Sequence, residues 1–183
     1  MRSRAVLLSL VLLLAATASA DARVLGSRPL GRGDHGWDVV TLQRVLTMDG
    51  FSPGRADGVF GRRTTRAVRR FQRSRGLTVD GRVGPITTHE LAHRWNLWTA
   101  SYYGLGLWGN RTACGQILRK KLRGVAHRTL PCGTRMAVYA NGRIAFFPVI
   151  DRGPHKDGVS LDLTQAAAAR LRVTATTSVR AGW

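Results

Sequence analysis

Apolar residues recur at helical spacing through the first half of the chain. Over residues 36–50, Val39, Leu42, Val45 and Leu46 share one face, with Asp38 near the start and Gly50 at the stop, which predicts an amphipathic helix. Over residues 62–75 the stripe is Thr64, Ala67, Val68 and Phe71, and the opposite face carries Arg62, Arg66, Arg69, Arg70 and Arg73. The turn Asp57-Gly58-Val59-Phe60-Gly61 before this helix recurs as Asp80-Gly81-Arg82-Val83-Gly84, after which Pro85 opens a third helix reaching about His93. In each copy Gly permits positive φ and Asp can bond turn amides. The repetition predicts one compact three-helix bundle.

From Ala100 the pattern changes to short apolar pieces broken by Gly, Pro and Asn, at residues 101–103, 124–128, 135–140, 143–150 and 176–183. Asn141-Gly142 between two of them is a hairpin signal, and a single Ala-rich helix is predicted at 165–171. Several short strands with one helix predict a small β barrel, so the fold class is α plus β in two domains. Residues 94–99 read as the joining segment. Its Trp95 and Trp98 read as packing against their own domain, with sugar stacking as the alternative.

The N-terminus adds an expectation about compartment. Arg2 and Arg4 precede an apolar run from Ala5 to Ala16 and the small-x-small triplet Ala18-Ser19-Ala20, the pattern of a secretory signal over residues 1–20. The run is short for a bilayer span and no second one follows, so no stable membrane anchor is expected. The chain carries 29 Lys and Arg against 10 Asp and Glu, a formal charge of +19, and therefore seeks a polyanion. For an exported chain that points to anionic wall polymers. Nucleic acid is not expected, because the arginines lie on helix faces without a recognisable nucleic-acid motif. Cys114 and Cys132, an even count in an exported chain, read as a disulfide. A metal site with His127 lacks further ligands at the usual spacing, so neither metal nor cofactor is expected.

The chemistry falls in residues 149–164, VIDRGPHKDGVSLDLT, which hold Asp151, Asp157, Asp162 and His155. Asp151 emerges where the apolar run 144–150 leaves the core, and Asp162 points opposite to Leu161 and Leu163. Partial desolvation there suits acid/base work. The alternative makes Asp151 a turn residue and Asp162 a helix cap.

Residues 31–93 resemble the peptidoglycan-binding domain of wall hydrolases, through GRGDHGWDVVTLQRVL and GFSPGRADGVFGRRTTRAVRRFQRSRGLTVDGRVGPITTHEL. That resemblance implies a helical module that holds wall polymer and does no chemistry. Residues 100–183 resemble the RlpA family of septal lytic transglycosylases, which share a double-psi β barrel with expansins. The pieces that carry it are ASYYG, RTACGQ, GVAHRTLPCGTRMAVY, VIDRGP and SLDLTQAAAARL. The family implies an exported wall or periplasmic protein, here expected as a monomer, that cleaves peptidoglycan glycan strands between MurNAc and GlcNAc and leaves a 1,6-anhydro end. On its motifs Asp151, Asp162 and His127 are the catalytic candidates, and Tyr102, Tyr103, Gln116 and Arg152 the substrate-binding ones. Where active members commonly read Thr-Ala-Ser-Gly-Glu, this chain has Thr112-Ala113-Cys114-Gly115-Gln116. A glutamine cannot shuttle a proton. A non-catalytic, expansin-like wall-loosening protein is therefore the alternative.

Overall fold

A computed structural model describes residues 24–183, and the expected signal segment lies outside them. The helical unit contains α1 (Trp37–Met48), α2 (Arg62–Ser74) and α3 (Pro85–Ala92). Each expected stripe is buried: Val39, Leu42, Val45 and Leu46 on α1 meet Ala67, Val68 and Phe71 on α2. The arginines of α2 face outward because that helix has only one apolar side to cover.

The two Asp-Gly turns are held by a device that sequence periodicity did not reveal. Gln43 Nε2 donates to Asp57 Oδ1 at 2.8 Å and to the Val59 carbonyl at 3.0 Å, while its Oε1 accepts from Gly58 N at 2.9 Å. Gln72 repeats the pattern one turn later, donating to Asp80 Oδ1 at 2.7 Å and the Arg82 carbonyl at 2.8 Å and accepting from Gly81 N at 2.9 Å. Both glutamines are buried. A leucine at either position would strand a buried amide N–H and a carbonyl, so Gln43→Leu or Gln72→Leu is expected to cost about 2–4 kcal/mol in chemical denaturation. A loss below about 0.5 kcal/mol, the level of an ordinary surface change, would show that the clamp holds nothing.

The barrel contains β1 (Asn96–Tyr103), β2 (Val125–Ala126), β3 (Arg135–Ala140), β4 (Arg143–Asp151), β5 (Leu161–Thr164) and β6 (Thr177–Gly182), with α4 (Gln165–Leu171) between the last two. The strands close in the order β1-β5-β2-β4-β3-β6, with β1 parallel to β5 and β2 parallel to β4. The Asn141-Gly142 hairpin forms as expected, with φ of 50° and 73° at its two central residues. The joining segment is shorter than 94–99. Asn96 to Thr99 already pair antiparallel with β6, because Trp98 packs toward the barrel core, and Trp95 is buried between the two units.

β3 and β4 are buried on both faces. Met136, Val138, Ala145, Phe147 and Val149 fill the barrel, whereas Ala137, Tyr139, Ile144 and Phe146 point outward into the helical core with Leu25 and Leu30. This explains the unbroken apolar run of β4 in the sequence. The segment before α1 adds to the same contact: Ile144 N donates to the Leu25 carbonyl at 2.9 Å, and Gly26, at φ +90°, lies so close to Gly142 that any Cβ would strike its carbonyl. Arg180 on β6 reaches the His93 carbonyl at 2.9 Å, satisfying the end of α3. Helices and barrel therefore share one continuous core.

Candidate active site on the barrel face

Strand register assembles the site. Ser101 on β1 pairs with Asp162 on β5, Asp162 with Ala126 on β2, and Ala126 with Asp151 on β4, making one row across four strands. The two aspartates are separated by one strand, so their Cα atoms stand about 10 Å apart, two interstrand spacings. Leu161 and Leu163 are buried in the barrel and Asp162 is half-buried on the opposite face, as two-residue alternation requires.

The two carboxylates have different surroundings. Asp151 Oδ1 accepts from Ala113 N at 2.8 Å and from Arg152 N at 2.9 Å, tying the loop at Thr112 to Gln116 to the end of β4. Asp162 Oδ1 accepts from the Ser101 hydroxyl, and its Oδ2 has no hydrogen-bond partner among the described residues. Asp162 does not cap α4. That role falls to Thr164, whose Oγ1 accepts from Ala167 N at 3.3 Å.

Tyr103, two residues beyond Ser101 on the same face of β1, places its hydroxyl toward both aspartates. The hydroxyl is buried without a well-formed protein hydrogen bond. Burial first, then the facing Asp151 carboxylate and Asp162, push it up and keep it protonated. A buried, unsatisfied donor beside two carboxylates is suited to a polar ligand atom. Tyr102 projects to the other side of the strand, is more exposed, and donates to the Thr174 carbonyl at 3.3 Å, outside this row.

His127 follows directly on β2 and is 6% exposed. Its Nδ1 accepts from Thr129 N at 3.2 Å and Leu130 N at 3.0 Å, which fixes the neutral ring with its proton on Nε2. The ring stands edge-on to Trp98 at 5.5 Å and Trp183 at 6.1 Å. Burial and, after it, the Arg152 guanidinium push its pKa down. His127 can therefore donate through Nε2–H and is poorly placed to act as a base at Nδ1. The folded state resists a proton that the unfolded chain accepts near pH 6.5, so stability held above that pH should decline as pH falls below it, by at most about 1.4 kcal/mol per pH unit for one proton. Denaturation at pH 7.5 and 5.5 checks this: His127→Asn should flatten the difference, and an unchanged difference would assign the titration to another group.

Arg152 lies over the disulfide, with Nη2 3.4 Å from Cys132 Sγ and Nη1 4.0 Å from Cys114 Sγ. The Cys114–Cys132 bond forms as expected, with Cα atoms 5.7 Å apart. Gln116 is exposed on the same loop, its Oε1 accepting from Thr112 Oγ1 at 3.1 Å. His155 and Asp157 are exposed on the loop before β5, outside the paired row. Among the described residues no group of His, Cys, Asp or Glu is arranged to hold a metal ion.

Residues 35–91 match the family described as putative peptidoglycan binding domain, and residues 98–182 match the lytic transglycolase family. The chain resembles the RlpA transglycosylases. It is 41% identical over 76 residues to the probable endolytic peptidoglycan transglycosylase RlpA of Synechocystis, covering 40% of this chain and 24% of that protein. It is also 41% identical over 83 residues to the RlpA of Yersinia pestis, covering 44% and 23% respectively. A spore cortex-lytic enzyme of Bacillus cereus is 38% identical over 84 residues, covering 46% of this chain and 32% of its own length. The chain spans about a quarter to a third of the length of these relatives. Its barrel is of the double-psi type, and the helical unit before it is the peptidoglycan-binding domain.

Ser101 was legible only as part of ASYYG, and the role of Ala113 as a donor to Asp151 was not legible at all. Both depend on pairings between strands far apart in sequence.

Proposed function

We propose that this RlpA-like protein binds peptidoglycan through its helical domain and cleaves the glycan strand between MurNAc and GlcNAc, leaving a 1,6-anhydro end. Asp162 is the proton carrier in this reading. The observation that supports it most is the half-buried Asp162 carboxylate, held through one oxygen by Ser101 and open at the other. As the acid, Asp162 protonates the glycosidic oxygen while the C1–O bond breaks. As carboxylate it takes the proton of the sugar's own C6 hydroxyl, whose oxygen bonds to C1, so the net change moves one proton and needs no water. Tyr103, kept neutral and facing Asp151 more than Asp162, donates to an oxygen of the bound strand, and His127 Nε2–H offers a second donor. Asp151 positions the loop bearing Gln116. Action on peptidoglycan places the protein in the cell wall or periplasm, with residues 1–20 as the export signal. Among the described residues no helix is long and apolar enough to cross a membrane.

A second reading, binding and loosening without cleavage, is favoured by one observation: the exposed loop residue Gln116, where the family resemblance leads one to expect a glutamate, has a side chain that cannot shuttle a proton. Mass spectrometry of glycan strands after incubation with the purified protein separates the two. Anhydro ends are expected; their absence at full wall binding would leave the second reading standing.

A further inference from the structure

The strongest unexplained feature lies away from the aspartate row, where α1 rests against the outer face of β3 and β4. Arg44 on α1, Arg123 before β2, Arg135 at the start of β3 and Arg170 on α4 line one cleft of about 370 Å³. Trp37 forms part of its rim with an indole that is 59% exposed, and Phe146 and Pro148 add apolar wall. Among the described residues no carboxylate lines it. Arg44, Arg123 and Arg135 make no ion pair or side-chain hydrogen bond among the described residues.

Arg44, Arg123 and Arg135 come from three separate elements and repel one another, and among the described residues no anion pairs with any of the three. Guanidinium groups fit phosphate oxygens in a two-pronged geometry and are less strongly hydrated than ammonium groups, which suits a partly enclosed cleft. The ligand must bring negative charge without positive charge of its own, because nothing in the lining would receive an ammonium group. That argues against amine-bearing stem peptides and for a phosphodiester chain, whose sugar or polyol carbons would lie along Trp37 and Phe146.

We propose that this cleft between the two domains binds the phosphodiesters of a sugar- or polyol-phosphate wall polymer, as an anchor separate from the glycan-cleaving face. The proposal shares with the preceding section only the location at the wall, and it stands or falls without cleavage. Calorimetric titration of the full chain with purified poly(glycerol phosphate) tests it. Arg44→Gln combined with Arg135→Gln is expected to weaken binding at least about tenfold, since two charge-assisted contacts are lost. Arg32→Gln with Lys156→Gln removes the same charge from exposed sites outside the cleft and should leave affinity unchanged. Arg135→Gln alone, on an exposed side chain, gives the same direction should the cleft double variant fail to fold. Anhydro-end yield on phosphate-free sacculi, read in parallel, should be the same in wild type and cleft variants. Absence of wild-type binding, equal losses in the two double variants, or displacement by a soluble stem peptide but not by added phosphate polymer would each overturn it.

Discussion

Asp162→Asn is expected to lower formation of anhydro ends at least about 100-fold, the lower range for loss of a general acid/base. Asparagine matches the aspartate in size, and its Oδ1 can still accept from Ser101, so the row of paired residues should persist and wall binding should be unchanged. What disappears is the ability to give and take a proton. Asp151→Asn provides the contrast. There the side-chain oxygen can go on accepting from the Ala113 and Arg152 amides, so a positioning role predicts a much smaller loss. Gln116→Glu completes the series by placing on an exposed loop the carboxylate that the family resemblance implies, and it should raise the yield if that position limits the site. Should Asp162→Asn match wild type in anhydro-end yield, the assignment of the proton carrier is wrong. Should only Gln116→Glu produce such ends, the natural protein binds without cutting.

Removal of the disulfide by Cys114→Ser with Cys132→Ser is expected to cost about 3 kcal/mol, from the chain entropy returned to an unfolded loop closed across a sequence separation of 18 residues. The loss also reaches the site. Cys114 N donates to the Ile150 carbonyl at 3.2 Å, and Ala113 beside it is the donor to Asp151, so the bond fixes the loop that meets the row of aspartates. Arg152 would lose its seat over the two sulfurs. Urea denaturation of oxidised protein and double variant reads the first effect, and anhydro-end yield at a temperature where both are folded reads the second. Equal denaturation midpoints would mean that the bond contributes nothing to the fold; equal yields would mean that loop order is irrelevant to the site.

Local patterns carried most of the fold. The stripes of α1 and α2, the Asp-Gly turns, the Asn141-Gly142 hairpin and α4 are all decided by neighbours in sequence, and each stands where periodicity put it. β5 shows in the sequence only as the alternation of Leu161, Asp162 and Leu163 and not as a separate strand piece, because its four residues owe their conformation to β1 and β2 on either side. Gln43 and Gln72 were hidden for a related reason: a polar residue on a helix reads as solvated until the turn it clamps, more than a dozen residues away for Gln43, is brought against it. Arg28 lay outside the expected 31–93 domain, yet it bonds Asp34 at 2.6 Å and the buried Asp38 at 2.8 Å. Within the site, Asp151 and Asp162 were visible as residue types in a turn-rich stretch. Their separation by a single strand, and the different hydrogen bonds that divide their roles, depend on barrel closure.

The continuous core across Leu25, Ile144, Tyr139 and Phe146 bears on how the protein samples its polymer. Enzymes that carry a carbohydrate-holding module on a loose tether sweep their catalytic head through a sphere, and the head's effective concentration at any bond depends on tether length. Here only residues 93–95 lie between α3 and β1, and Trp95 among them is buried. The helical unit and the row of aspartates are consequently related by one fixed distance and angle, like the jaws of a set calliper. If the helical unit anchors a strand and the row cuts one, as proposed above, strands that cross the anchored one at that angle are presented at high local concentration, and those at other angles are not presented at all. The orientation of strands in the wall would then select which bonds are met.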